Sequence, residues 1–366
     1  VVFDSLAKME RIGLVGLPNS GKSSLFNALT GGSVAVAAHP FTTTETTVGV
    51  AHVPDRRLEA LAEMSKSRKI VEASVEVVDV AGLVAGAEHG EGLGNRFLAG
   101  IREVEALCLV LRSFKSDEIP GESDPLRALG ILELELVLAD LSSVEAQIAK
   151  RQRSARLNPT HAAPVDALDA AREELEAGVP IYRSKLSADE RGALTPLFLL
   201  TNKPFFCVVN VGEDELSSID DVVKRVVAEL GEHATVLALS VELEAEAREL
   251  EPSERGELLS GLGLGEGALP RVAQALFETI GRWTFLTTGD KESRAWTFRK
   301  GAKAPECAGV IHSDLQRGFI RAEVIRWDEL LALGSWNAAK AAGKIRVEGK
   351  DYAVQDGDTL EIRFNV

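Results

Sequence analysis

The chain has 366 residues, 45% of them hydrophobic, which supplies cores for two or three domains and excludes a disordered or low-complexity protein. Its net charge of −15 disfavours a nucleic-acid-coated body, but from residue 281 onward 14 Lys+Arg face 12 Asp+Glu, so the C-terminal part is slightly basic. No apolar run approaches the ~18 residues of a membrane helix, and VVFDSLAKMER lacks a basic leader, so a cytoplasmic protein without a membrane anchor is expected; Cys108, Cys207 and Cys307 are too scattered for a disulfide framework or a zinc site and read as reduced thiols.

In chain order, RIGLVG (residues 11–16) is an apolar run suited to a buried strand. It feeds PNSGKSS and then the helical LFNALTG, which ends at Gly31-Gly32. Further strands are expected at residues 75–80 (VEVVDV), 106–111 (ALCLVL), 205–209 (FFCVV) and 235–240 (TVLALS). Apolar strands alternating with helices predict an α/β fold with a mostly parallel sheet covered on both faces. Residues 125–196 break that rhythm. Leu134, Leu138, Leu141 and Ile148 fall at helical intervals, Asn158-Pro159 and Pro164 interrupt, DALDAAREELEAG continues, and Ser187-Ala188-Asp189-Glu190 has the form of a capping box. An inserted helical hairpin is expected there, splitting a nucleotide domain at 10–124 and 197–280. After Arg282 the segments WTFR, CAGVIH, FIRAEVI, KIRVEG, DYAVQ and TLEIRF read as strands around one helix near Trp327–Leu333, a small β domain over 281–366.

The chemistry is concentrated in Gly16-Leu17-Pro18-Asn19-Ser20-Gly21-Lys22-Ser23, a GxxxxGKS loop between strand and helix. Glycines let the backbone N–H groups of Pro18-to-Ser24 positions other than proline close around phosphate oxygens, and the helix N-terminus adds its positive end. Lys22 neutralises β- and γ-phosphate charge, while the Ser23 hydroxyl can ligate Mg2+. Pro18, Asn19, Ser20, Gly21, Lys22, Ser23 and Ser24 are therefore the expected phosphate-binding residues. Asp79 closes an apolar strand, where a carboxylate can hold the Mg2+ shell, and Gly82 can offer its N–H to a γ-phosphate. Thr43, within HPFTTT, or a neighbouring threonine is placed to reach Mg2+ in the triphosphate state only.

Nearly the whole chain resembles the Obg-related P-loop NTPases of the YchF type. The resemblance rests on GLPNSGKSSLFNALT, HPFTT, DVAGLVAGA, GEGLGNRFL, IREVEA and NVGEDE. It also rests on the C-terminal RAWTFRKGAKAPECAGVIHSDLQRGFIRAEVI and GKDYAVQDGDTLEIRFNV. It implies a helical, coiled-coil-like arm, a TGS domain of β-grasp form, and association with the ribosome, its RNA or its proteins through both modules. It also implies an Mg2+-dependent ATPase associated with translation; a monomer is expected. Guanine-reading relatives carry NKxD, but Asn202-Lys203-Pro204-Phe205 lacks the aspartate and precedes its strand. Asn210-Val211-Gly212-Glu213 stands in the proper place, similar to the NxxE of the ATP-preferring group, so ATP is expected over GTP. Asn210 is expected to bond adenine, with Val211, Glu213, Ser240 and Val241 around the base.

Three departures bear on catalysis. Leu83 stands where Ras-like enzymes position water with glutamine, as the resemblance itself implies for the family. Leu109 stands where YchF-like relatives carry a histidine assigned to hydrolysis. His89 is a replacement candidate beside Lys22 and Gly82, its imidazole suited to orienting water. Asn19 either helps hold K+ beside the phosphates, as in potassium-activated P-loop relatives, or shapes the loop by a hydrogen bond. Arg294, Arg299, Lys300, Lys303, Arg317 and Arg321 are candidates for RNA phosphate contacts, and His312 reads as structural.

Overall fold

The computed structural model describes residues 10–31, 34–35, 47–79, 100–115, 119–157, 166–231, 234–262, 264 and 267–365. Thr43, Gly82, Leu83 and His89 lie outside the described residues. Two compact units emerge, one of residues 11–49 and 76–272 and the other containing residues 50–75 and 273–365.

The first unit is built on a seven-stranded sheet. The strands are β1 (Arg11–Val15), β2 (Val34–Ala35), β3 (Thr47–Val53), β5 (Ala73–Asp79), β6 (Ala106–Arg112), β7 (Phe205–Asn210) and β8 (Val236–Leu239), with β4 (Ile70–Val71) in the other sheet. The spatial order is β2-β3-β5-β1-β6-β7-β8, and the pairings β5–β1, β1–β6, β6–β7 and β7–β8 are all parallel. Every residue of β6 is buried, as the continuous run ALCLVL requires of a strand covered on both faces.

The helix Pro125–Leu157 changes partners along its length. Its first half sends Ala128, Leu129, Leu132 and Leu136 into the core under the sheet. Farther on, Val137, Val144 and Ile148 pack with Leu168, Ala171 and Leu175 of the helix Asp166–Glu176. The expected stripe is corrected accordingly: Leu134 and Leu138 are 54% and 50% exposed, whereas Ile148 is buried and Leu141 packs against that second core. Because the buried side shifts between two successive cores, no single set of 3.6-residue intervals describes it. Asp140 pins this helix, its buried carboxylate accepting the Leu200 and Thr201 N–H groups at 2.8 and 2.7 Å and the Thr201 hydroxyl at 2.7 Å. Ser187 and Glu190 do form the capping box of the helix Ala188–Leu194.

The second unit contains the order β12-β11-β13-β9-β10-β4, with β9 (Arg282–Thr287), β10 (Ser293–Arg299), β11 (Phe319–Arg326), β12 (Arg346–Glu348) and β13 (Asp358–Phe364). An antiparallel β9–β10 hairpin, a central parallel β9–β13 pairing and an antiparallel β13–β11 pair are the topology of a β-grasp. Successive residues alternate between two cores. Phe285 and Val324 join Phe298, Cys307 and Ala308; Leu286 and Ile325 join Leu58, Leu61 and Leu330. The helix Arg56–Ser65 is thus part of this unit, which the boundary at 281 did not anticipate. Arg57 fixes it, donating to Asp55, to Asp356 Oδ2 at 2.6 Å and to Thr284 Oγ1 at 2.8 Å.

CAGVIH is a correction: it is not a strand but the end of the helix Ala304–Ile311. Ala304, Cys307 and Ala308 are the buried residues, an i, i+3, i+4 spacing, with proline at the start and the Glu306 carboxylate accepting the Lys303 N–H at 2.8 Å. DYAVQ contributes only an isolated bridge between Lys303 and Ala353. His312 caps the next short helix, its Nδ1 accepting the Asp314 N–H at 3.1 Å.

Candidate nucleotide site

β1 places the glycine loop. Its register sets Leu14 beside Asp79 on one neighbour and Val15 beside Leu109 on the other, so the Asp79 carboxylate emerges two residues before Gly16 begins to turn. At Gly16 a Cβ would stand 2.4 Å from the Val110 carbonyl, leaving room for no other residue. Gly21 has φ 92° and a Cβ there would lie 2.3 Å from Asn210 Nδ2. Asn19 also has positive φ, at 60°, and no acidic residue occupies the first turn of the helix Lys22–Thr30, leaving its positive end uncompensated.

Lys22 is buried, its Nζ donating to the Gly16 and Leu17 carbonyls at 2.8 and 2.9 Å. Burial lowers its pKa, and the nearby Asp79 charge opposes that shift. Ser23 and Ser24 are exposed on the first turn, as are Pro18 and Asn19, while Ser20 is buried. Asp79 Oδ1 and Ser20 Oγ are buried atoms with no hydrogen-bond partner among the described residues. An orphaned carboxylate oxygen at a strand end beside a phosphate loop suits a hard, oxygen-seeking cation, so the residues fit Mg2+.

Asn210 does more than the sequence indicates. Its Nδ2 donates to the Ser20 carbonyl and its Oδ1 accepts the Val241 N–H, both at 3.1 Å. The amide orientation is dictated by these partners, since a carbonyl can only accept and a backbone N–H only donate. The side chain therefore bridges the glycine loop to the helix Val241–Glu249, and the expected adenine contact must use what remains, one N–H and one oxygen lone pair. Val211 and Ser240 are buried and Glu213 is exposed at the start of a 3-10 turn. Beside Ser240 opens a cavity of about 310 Å3, lined by Ile219, Leu239, Glu244, Leu264 and Arg271. Glu244 seals one wall by accepting the Ala268 N–H; burial pushes its carboxyl pKa up, against the pull of that bond.

Other readings are resolved by position. Asn202 bonds Arg191, and Lys203 Nζ donates to the Arg102 and Val104 carbonyls at 3.1 and 2.5 Å, so this NK pair braces the far end of β7. Leu109 is 1% exposed in the core shared by Val15, Leu107 and Cys207. Asn19 does shape the loop, its Nδ2 donating to the Pro120 carbonyl at 3.0 Å. Three residues escaped the sequence reading. Glu215 accepts from the Ser113 hydroxyl and the Gly212 N–H; Arg248 donates to the Ala28 carbonyl near the end of α-helix Lys22–Thr30; Arg112 is buried where β6 ends. Arginine after six apolar residues was the one local signal for the last.

In the C-terminal unit the basic cluster is largely compensated. Arg294 pairs with Glu292 and lies 4.7 Å from the Trp296 ring, Lys303 pairs with Asp351, Arg317 with Asp314, and Arg321 with Glu323 at 4.0 Å. Lys300 lies over Trp283. A phosphate-binding face built on these residues would have to compete with their own carboxylates.

Comparison with known proteins completes the picture. A family model described as 50S ribosome-binding GTPase matches residues 11–147, and a YchF GTPase C-terminal model, described as a protein of unknown function, matches residues 283–365. The chain is 43% identical over 361 residues to a protein of Bacillus subtilis named ribosome-binding ATPase YchF, covering 97% of this chain and 99% of the relative. It is 44% identical over 362 residues to the Haemophilus influenzae protein of the same name, with the same coverage. The solved structure of the Schizosaccharomyces pombe YchF GTPase superposes with a TM-score of 0.82 at 31% identity, covering 97% of both chains. Among the described residues no helix is long and apolar enough to cross a membrane. Resemblance of this strength, spread over nearly the full length of those relatives and carried by both units, means that the chain belongs to the YchF family of P-loop proteins.

Proposed function

We propose that this chain binds ATP with Mg2+ and hydrolyses it slowly, as a conformational switch that acts on the ribosome. The observation that carries the reading is the convergence of the Lys22 ammonium, the open N-terminus of its helix and the orphaned Asp79 oxygen at the ends of adjacent strands. Ser23 and Asp79, with Thr43, would hold the metal, which when bound supplies neutralisation of phosphate charge. Lys22 would exchange its loop carbonyls for phosphate oxygens, and the loop N–H groups would orient the triphosphate. K+ beside Asn19 belongs to the same proposal, with Asn19 Oδ1 as its ligand.

The base preference is proposed as ATP because Glu213 stands where guanine-reading relatives carry an aspartate; the Asn210 bridge to Ser20 and Val241 supports the loop for either base. GTP is the alternative, since the similar bacterial proteins are named ATPases and the fission yeast structure is titled a GTPase. A second reading, a nucleotide-gated ribosome-binding protein with negligible intrinsic turnover, is favoured by the burial of Leu109, an aliphatic side chain that cannot activate water.

One experiment separates them: phosphate release from the purified protein with ATP and GTP, with and without ribosomes, alongside ribosome co-sedimentation in each nucleotide. ATP turnover that ribosomes alter supports the switch. Binding without turnover under every condition supports the gated binder, and selective GTP binding overturns the base assignment.

A further inference from the structure

Arg112, 2% exposed, ends β6, and its guanidinium is spread over three carbonyls. Nε donates to Phe114 O at 2.9 Å, Nη2 to Ile119 O at 3.0 Å and Nη1 to Pro120 O at 3.3 Å. The same group lies over the Phe114 ring, 4.2 Å from its centroid. The Pro120 carbonyl is shared, since Asn19 Nδ2 donates to it from the glycine loop. Gly121, at φ 135°, brings the chain close enough that a Cβ would lie 3.5 Å from the Pro18 carbonyl and 3.4 Å from Arg112 Nη1. On the other flank, Ser113 N–H donates to the Asn210 carbonyl, and a Cβ on Gly212 would lie 3.1 Å from Phe114 Cβ. One buried cation thus sets the segment against which Asn19 rests and the aromatic ring beside the Asn210–Glu213 turn.

Asn19 takes its support from this segment. The left-handed conformation, φ 60°, is uncommon outside glycine though asparagine tolerates it, and the side-chain bond to Pro120 holds the loop there. A planar fork can serve three divergent carbonyls; a lysine ammonium, one point charge on a flexible stem, cannot reach all three. We propose that Arg112 is a positioning residue for the nucleotide: acting through Pro120 and Asn19, it holds the phosphate loop in the conformation that receives the triphosphate. This rests on the nucleotide-binding reading above.

The test is a double-mutant cycle on the full chain, reading the Kd for Mg2+-ATP and, in parallel, Mg2+-GTP. The variants are Arg112→Gln, Arg112→Lys, Asn19→Gly and the two Arg112 changes combined with Asn19→Gly. Glycine accepts φ 60° and deletes the clamp; because it also deletes the proposed K+ ligand, every Kd in the cycle is measured in buffer free of K+. Arg112→Gln is expected to weaken binding about tenfold in the wild-type background and no more than about threefold when Asn19 is already glycine. Arg112→Lys follows the glutamine variant and supplies the cycle if that variant does not fold. Equal weakening in both backgrounds overturns the proposal, as does wild-type affinity in Arg112→Lys. A wild-type chain that binds neither nucleotide overturns the nucleotide reading and this assignment with it, whereas binding with additive substitutions overturns Arg112 alone.

Discussion

Replacing Asn210 by alanine separates a bridge from a base reader. The side chain makes two buried hydrogen bonds of 3.1 Å, to Ser20 O and from Val241 N–H, and both of those residues are buried, at 2% and 1% exposure. Each lost bond is worth about 1 kcal/mol net, and each buried partner left without a substitute costs about 1–3 kcal/mol. Partial hydration through the vacated space reduces that penalty, so a total of about 2–4 kcal/mol is expected, a large share of the ~5–15 kcal/mol that holds a typical domain folded. Urea unfolding of the full chain measures the stability, and competition with a fluorescent nucleotide measures affinity for ATP and for GTP. Because the bridge supports the glycine loop and not a base edge, both nucleotides weaken by the same factor. Loss of ATP affinity with GTP spared would refute the argument, as would unchanged stability. Asn210→Asp adds a pH test. A carboxylate oxygen would face the Ser20 carbonyl, raising the folded-state pKa, so this variant is least destabilised in acid and loses stability as pH rises through that pKa.

Arg57→Ala, which removes the partner of Asp55, Asp356 and Thr284, is expected to lower the stability of the C-terminal unit by about 1–2 kcal/mol after allowance for solvent screening; an unchanged unfolding midpoint in differential scanning calorimetry would contradict that. In Asp140→Asn one amide N–H must face a backbone donor, Leu200 or Thr201, so a loss of about 1–3 kcal/mol is expected in chemical denaturation. Burial raises the Asp140 pKa, while bonds from Thr201 and Leu200 and the Arg102 charge pull it down. With the folded pKa above the unfolded one, this stabilising contribution is fully present below the unfolded value and is lost as pH rises through the folded value; the asparagine variant should lack that slope. Leu109→His buries an imidazole among aliphatic side chains and is expected to cost about 2–4 kcal/mol, with retained stability by thermal unfolding counting against the burial argument.

The α/β pattern, the phosphate loop and the family resemblance were all legible in the sequence because they depend on local signals. Apolar runs that end in glycine turns specify strands buried on both faces, and GxxxxGKS specifies a backbone that cradles phosphate whatever surrounds it. The capping box at Ser187 and the glycine at position 31 worked for the same reason, since each helix end is decided by residues within one turn of it. Where only periodicity was available, it misled. CAGVIH alternates well enough for a strand, but with the preceding Ala304 its Cys307 and Ala308 are buried at helical spacing, and Leu134 and Leu138 share a helical interval with residues that the fold buries elsewhere.

The rest was decided by tertiary structure. Asn210 lies 190 residues from the Ser20 carbonyl it holds, Arg57 lies 299 residues from Asp356, and Arg112 and Asn19 meet only at Pro120. The two cores that alternate across β9 and β11 draw in residues 56–65, which the linear order assigns to the nucleotide domain. Hydrogen bonds and packing depend on distance in space, and a parallel sheet brings together the ends of strands that are far apart in the chain. The sequence therefore specified which groups could hold a nucleotide, and the sheet order decided which residues hold those groups in place.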